Sequence, residues 1–309
     1  MDLMIYVLDT LVFMGIFALL SLSLNVEYGF TGLGNFGKVA FFMAGAYTYA
    51  ITSSFGWPFY LCLILAGLVA SVLGALVSLP ALRLREDYLA IVTLSFGEIL
   101  RIFVKAEQWL AGGVWGIAVP SAFANMDFTP RMQTWASVVL VWVILIAVFV
   151  FLYLLMNSPY GRVLRGIRED DVAVQVLGKS YVLYKVQALM VGSAIAGVAG
   201  GLFAQYIRFI DPYMFLPLVT FTVWVMLILG GPANPWGAVV GAVIVEFFNR
   251  GSRILKDHLA LPFDPHNVQY ALFGLLIIFL LLYRPHGLFR EKPLKTGAEA
   301  EVAKWQSSS

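Results

Sequence analysis

Residues 29 to 42, GFTGLGNFGKVAFF, carry two spacings that elsewhere hold a phosphate: Gly32, Gly34 and Gly37 give G-x-G-x-x-G, and Gly32 to Lys38 gives G-x-x-x-x-G-K. Either chemistry depends on its setting. A dinucleotide loop needs a strand before it, a helix after it and an acidic residue about 20 positions on. A Walker loop needs Ser or Thr after the lysine to hold Mg²⁺. Here Val39 follows Lys38, an apolar helix pattern (VAFFMAGAYTYA) comes next, no strand pattern precedes Gly29, and no acid stands near position 55. The glycines therefore call for an explanation other than nucleotide binding, and no cofactor is expected. Other chemistry is as poorly served. His258, His266 and His286 share no metal-ligand spacing, no Ser, Cys or Asp is set for nucleophilic work, and the single cysteine, Cys62, lies in an apolar run without a disulfide partner.

A second candidate is the run GRVLRGIREDDVAVQVLGK, 161 to 179. Val163, Ile167, Val174 and Leu177 recur near helical spacing, Arg162, Arg165 and Arg168 fall elsewhere on the wheel, and Glu169, Asp170 and Asp171 follow. A helix lying on lipid prefers a basic polar face with bulky aromatics on the apolar one. This run mixes signs and has no aromatic, which favours docking on another protein. Among the remaining charges, Glu98 and Arg101 are close enough on one helix to pair, as are Glu246 and Arg250. Asp9 and Lys38 have no local partner and must face the interior or a second subunit.

The elements that position these residues are membrane spans. Of the 309 residues 61% are hydrophobic and 12% charged, against ~45–50% and ~25% in soluble domains. Apolar segments run at roughly 4 to 24, 35 to 54, 58 to 80, 88 to 104, 134 to 156, 184 to 207, 215 to 231, 237 to 249 and 269 to 283. With ~20 residues needed per crossing, the sequence predicts an all-α polytopic protein of roughly 8–10 transmembrane helices. The first segment lacks a basic leader and reads as a retained span. Basic residues predict orientation: Arg83 and Arg85, the group from Arg162 to Lys185, and Arg284, Arg290, Lys292 and Lys295 belong inside. That puts the C-terminus in the cytoplasm and leaves Arg250, Arg253 and Lys256 outside. A net charge of +2 gives no support to nucleic-acid binding. Residues 1–290 form the membrane domain, with 157–183 a cytoplasmic loop, and the polar tail 291–309 reads as disordered.

In that solvent the glycines of 29 to 37 either break a helix along a transport route or let a neighbouring helix approach closely. A second interruption, GGPANPWGAVVGA at 230 to 242, contains Gly230, Gly231, Gly237 and Gly241. It suggests paired halves, or a turn followed by packing glycines.

SPYGRVLRGIREDDVAVQVLGKSYVLYK, then GSAIAGVAGGLFA and IDPYMF, resemble the permease subunits of ATP-binding-cassette importers for branched-chain amino acids, the LivM-like family. TGLGNFGKVAFFMAGAY, LREDYLAIVTLSFGEILR, LGGPANPWGAVVGA and YRPHGLF match in order, over about Leu24 to Phe289. The resemblance implies a cell-membrane subunit that works with a second homologous permease, two ABC ATPase subunits and an external substrate-binding protein. It makes 161 to 179 the helix that couples to the ATPase. Only Ala173 and Gly178 fit the importer-wide pattern E-A-A-x-x-x-G strictly, since Val172 and Val174 replace its acidic residue and second alanine. It also makes Gly32, Gly34, Asn35 and Gly37, with Ala44 and Tyr47 further along and Gly230, Gly231, Gly237 and Gly241 opposite, the candidate substrate pathway. Alternatives are the same architecture moving urea or short amides, or an ion-coupled carrier. The carrier would want a relay of mid-span acids or histidines. A membrane enzyme would want clustered His, Asp or Cys, which this chain does not offer.

Overall fold

A hydrocarbon layer offers no water to backbone N–H and C=O groups, so apolar segments of this length close their hydrogen bonds within helices. The computed structural model describes residues 3–81, 86–123, 129–259, 274–275, 278–279, 282–283 and 287–291. Helix α1 (Leu3–Leu24) widens into a π-turn over Asn25–Gly29. After an irregular stretch come α2 (Lys38–Ser54), α3 (Phe59–Ala81), α4 (Glu86–Ala106) and a single turn, α5 (Gln108–Ala111). Then follow α6 (Pro130–Asn157), α7 (Pro159–Glu169), α8 (Asp171–Val176), α9 (Tyr181–Ile207), α10 (Pro217–Gly230) and α11 (Pro235–Leu259). Among the described residues the fold is all-α apart from two residue pairs, β1 (Ile117–Ala118) and β2 (Phe209–Ile210), which join antiparallel at the end of the bundle opposite α7.

Among the described residues, five helical stretches are long and apolar enough to cross a membrane: Met4–Gly29, Phe59–Ser78, Arg131–Asn157, Tyr181–Ile207 and Pro212–Gly230. Helices α2, α4 and α11 occupy three further apolar segments of the sequence. Most of the segment 269 to 283 lies outside the described residues, as do Arg83, Arg85, Arg284, Lys292, Lys295 and all of the polar tail beyond Glu291. The arrangement is a multi-pass membrane protein. Its outer surface is apolar, with Ile64, Leu68, Val72 and Leu76 exposed along α3 and Val139, Val143 and Ile146 along α6. Its interior holds Asn25, Glu27, Asn35, Lys38, Thr93 and Thr220 fully buried. That inversion is what a lipid solvent selects.

Without a hydrophobic driving force between helices in lipid, close backbone contact does the packing. Helix α9 supplies it through GSAIAGVAGG. Gly197 abuts Gly45 of α2 on one side and Ala66 and Ala70 of α3 on the other, and Gly200 lies against the Phe42 carbonyl. A Cβ at Gly200 would overlap that carbonyl, which is backbone and cannot swing away. Gly200→Leu should therefore separate α9 from α2 at a cost of at least the ~1–3 kcal/mol typical of overpacking. Thermal unfolding of the detergent-solubilised protein, followed by size-exclusion chromatography, would report a lowered midpoint, whereas the lipid-facing Leu68→Ala should leave it nearly unchanged.

Candidate functional site

Helix α1 ends in a sequence that cannot remain a simple apolar span. NVEYGF puts an amide and a carboxylate into the bundle, the carboxylate answered from the far side of the glycine break and the amide from the second interruption. The Glu27 carboxylate receives the Lys38 ammonium at 2.6 Å and the Asn35 side-chain N–H at 2.9 Å, with both charges essentially without solvent exposure. Asn35 turns its amide oxygen back to accept from the Gly37 N–H at 2.9 Å. The freed backbone is taken up as well: Leu33 N–H donates to the Glu27 carbonyl at 3.0 Å and Gly32 N–H to that of Tyr28 at 2.9 Å. Gly32 has φ +75°, the left-handed region that turns the chain from α1 toward α2. Helix α9 makes room, because a Cβ at Gly192 would overlap the Glu27 carboxylate.

The break is also held from outside. Phe36 N–H donates to Thr93 Oγ1 of α4 at 3.1 Å, and Val39 N–H to Thr220 Oγ1 of α10 at 3.0 Å. Trp224 Nε1 donates to the Asn35 carbonyl at 3.2 Å while its ring stacks on Phe36 at 4.7 Å. The two glycine-rich interruptions meet directly, since Asn25 Oδ1 accepts from the Ala233 N–H at 2.8 Å. In the second interruption Gly230 and Gly237 touch through their backbones, and Gly241 rests on the Met226 carbonyl. Gly231, at φ 108°, turns the chain there, and the returning backbone of Leu288 and Phe289 donates to the Leu229 and Gly230 carbonyls at 2.9 Å each.

The charged run lies at this same end, and it is two helices where the sequence suggested one. Asp170 sits between them in extended backbone (φ −158°) and caps α8, its carboxylate accepting from Val172 N–H at 2.9 Å and Ala173 N–H at 3.1 Å. Helix α7 buries Leu164 and Ile167, and α8 buries Val174 against it. The arginines divide. Arg162 is exposed. Arg165 pairs with Glu291 at 3.2 Å beneath the Phe30 ring, and burial pushes its guanidinium below the ordinary value against the pull of Glu291. Arg168 donates to the Gly29 carbonyl at 2.6 Å and pairs with Glu291 at 2.8 Å and Glu169 at 2.9 Å. Asp171 reaches Lys185 of α9 at 3.4 Å. What remains exposed is the outer surface of α8: Val172, Ala173, Val176, Leu177 and Gly178.

Of the pathway residues named from sequence, Gly32, Gly34 and Ala44 are half-buried, whereas Asn35, Gly37, Tyr47, Gly230, Gly231, Gly237 and Gly241 are buried. Gly37 is pressed against the Thr93 carbonyl, while Gly34 has open space, with the Phe36 ring nearest at 3.8 Å from a would-be Cβ. The Tyr47 hydroxyl is buried without a hydrogen-bond partner among the described residues. Both helical pairs form: Arg101 binds Glu98 through two N–H groups, and Arg250 Nε donates to Glu246 at 3.1 Å. Asp9, without a local partner in sequence, is answered at long range by Arg250 and by the Tyr206 hydroxyl at 2.7 Å. Arg250, which the basic-residue pattern leaves on the far side, is neutralised there by two carboxylates. Sequence reasoning missed Glu27, Asn25, Thr93, Thr220 and Trp224. For Glu27 a signal existed: opposite charges flanking an intramembrane glycine break are more stable joined than apart.

A sequence profile of the family described as branched-chain amino acid transport system permease component matches residues 6–281. Among curated proteins, the chain is 31% identical to the probable branched-chain amino acid transport permease protein LivM of Methanocaldococcus jannaschii, covering 93% of this chain and 94% of that one. It is 32% identical to the high-affinity branched-chain amino acid transport system permease protein LivM of Escherichia coli, with 92% and 71% covered. It is 25% identical to the probable LivH permease of M. jannaschii, with 90% of each covered. No solved structure matches.

Removing one member of a buried ion pair typically costs about 3–5 kcal/mol, because the other charge is left uncompensated, while replacing both with apolar groups is often close to neutral. Lys38→Met should therefore sharply lower the thermal midpoint of the solubilised protein, and Glu27→Met with Lys38→Met should recover much of the loss. A double variant no better than the single one would show that the pair is not the tie between α1 and α2.

Proposed function

The chain belongs to the branched-chain amino acid transport permease family, and we propose that it is the membrane-spanning subunit of an ATP-binding-cassette importer that carries leucine, isoleucine or valine inward, with energy from separate ATPase subunits. The observation that carries this reading is the two-sided build of the α7–α8 segment. Its inner side is bonded to the first break, through Arg168 and the Gly29 carbonyl. Its outer side presents Val172, Ala173, Val176 and Leu177, exposed apolar residues at the tip of a loop. Apolar groups on such a tip, braced from behind by ion pairs, suit insertion into a cleft on a partner protein. A push on α7 would pass through Arg168 and the Gly29 carbonyl into the π-turn that also carries Glu27 of the Glu27–Lys38 pair.

In this reading residues 1–290 make up the membrane unit and 157–183 its coupling loop. The half-exposed Gly32, Gly34 and Ala44 border the route, while Asn35, Gly37 and the buried glycines 230, 231, 237 and 241 hold the bend, and Tyr47 offers its hydroxyl. Small residues let a bulky apolar side chain pass, and backbone groups at a helix break can meet a zwitterion. M. jannaschii has both a LivM and a LivH permease to which this chain is similar, which supports pairing with a second homologous permease. An external binding protein would select the substrate, and ligand binding by that partner would separate branched-chain amino acids from urea or short amides.

Three experiments follow. Val176→Arg or Ala173→Arg should abolish copurification of the ATPase and reduce uptake at least ten-fold with the permease still folded; unchanged uptake and copurification would sink the coupling assignment. Gly34→Leu, which has room to fold, should block uptake without loss of ATPase docking, and normal transport would make the first break a packing site alone. The purified single polypeptide in liposomes should not accumulate leucine, and ATP-independent accumulation would favour a carrier.

A further inference from the structure

At the end of the bundle opposite α7 a cavity of about 450 Å³ opens between α1, α9, α10 and α11, within the size range of small-molecule sites. Its wall has two chemistries. One side is aromatic: Phe13 and Phe17 of α1 and Phe203 of α9 line it, with Phe13 and Phe203 edge-on at 6.0 Å. The other side is the ion pair of α11, Glu246 and Arg250, both lining the cavity with side chains only 5% and 9% exposed. Arg250 is fixed from three directions, by Glu246, by Asp9 and by the Phe13 ring, whose centroid lies 3.8 Å from its guanidinium carbon.

A bulky apolar wall facing a carboxylate and a guanidinium in contact suits a ligand with an apolar body and a head of both signs. Resting on reading the chain as an amino-acid importer subunit, we infer that this cavity is a substrate site for the monomeric amino acid. The ammonium lies against Glu246, the carboxylate against Arg250, and the aliphatic side chain among Phe13, Phe17 and Phe203. A zwitterion laid antiparallel along a preformed ion pair gains from both charges at once. Because those groups are already desolvated and held, the interaction is stronger than at an exposed surface. The location adds a second argument. Helix α10 runs from this cavity, which Thr222 lines, to Gly230 at the second interruption, and Thr220 on it binds α2. The site therefore stands at the end of α10 away from the second interruption, where a ligand released from an external protein would enter.

The test uses the complex purified with its native partners. Thr222→Trp places an indole in the cavity without touching the ion pair; Glu246→Gln keeps the volume and removes the charge. The probe is a diazirine-bearing leucine analogue, with uptake and binding-protein-stimulated ATP hydrolysis measured in parallel. Photolabel should appear on peptides containing Phe203 or Met214, be competed by leucine and fall at least ten-fold in Thr222→Trp, with ATP hydrolysis retained. Glu246→Gln should raise the leucine concentration for half-maximal competition about ten-fold while leaving competition by the corresponding 2-hydroxy acid, which lacks the ammonium, unchanged. Label elsewhere, wild-type uptake by Thr222→Trp, or a lipid in the cavity that leucine does not displace would overturn the site while leaving the importer reading intact. Failure of the wild-type complex to accumulate any amino acid would overturn both.

Discussion

A lysine and a glutamate without solvent exposure, 2.6 Å apart and surrounded by helices, set the terms for the rest of this structure. Neither charge is tolerable alone in such a medium. They can meet only if the chain between them, residues 28 to 37, turns back on itself. That requirement explains the irregular stretch, the left-handed Gly32, the amide of Asn35 bonded at both ends, and Gly192 on the facing helix.

The same economy of pairing recurs at other charges in the described bundle. Asp9, Glu246 and Arg250 tie α1 to α11 at one end, and Arg165, Arg168 and Glu291 tie α7 to the returning C-terminal backbone at the other. Lipid-facing surfaces contribute little specificity, because one apolar helix face is as soluble in hydrocarbon as another. Register between helices is instead fixed by glycine contacts and by these polar links, which fit in one alignment only. The arrangement joins the α7–α8 segment, both glycine-rich interruptions and the residues 287 to 291 into one bonded region. In the proposed reading, that region is where separate ATPase subunits would act on the bundle.

The α7–α8 segment shows how local rules and tertiary demands divide the work. Of the apolar residues the sequence places at helical spacing, Ile167 and Val174 are turned inward, Val163 is half-buried and Leu177 is exposed, while Leu164, outside that set, is buried. The charges of this run also make contacts within the chain: Asp170 caps a new helix, Asp171 reaches Lys185, and two of the three arginines are bonded back to it, while Glu169 stays exposed. Local periodicity reports which face is apolar. It does not report which charged side chains find a partner 120 residues away.

Taken alone, the sequence determined the solvent, the helical class, the approximate spans, the two interruptions and the family resemblance. Each is written in composition, in period or in contiguous motifs, which survive without knowledge of neighbours. It also contained the Glu98–Arg101 and Glu246–Arg250 pairs, since three or four residues on a helix is a fixed distance. Only the tertiary structure decided that Lys38 belongs to Glu27, Asp9 to Arg250 and Asn25 to Ala233, and that the two interruptions touch. Those pairings span 11 to 241 positions. Many partners of the right charge satisfy them on paper, and the choice among them is made by which helices the glycine contacts allow to approach.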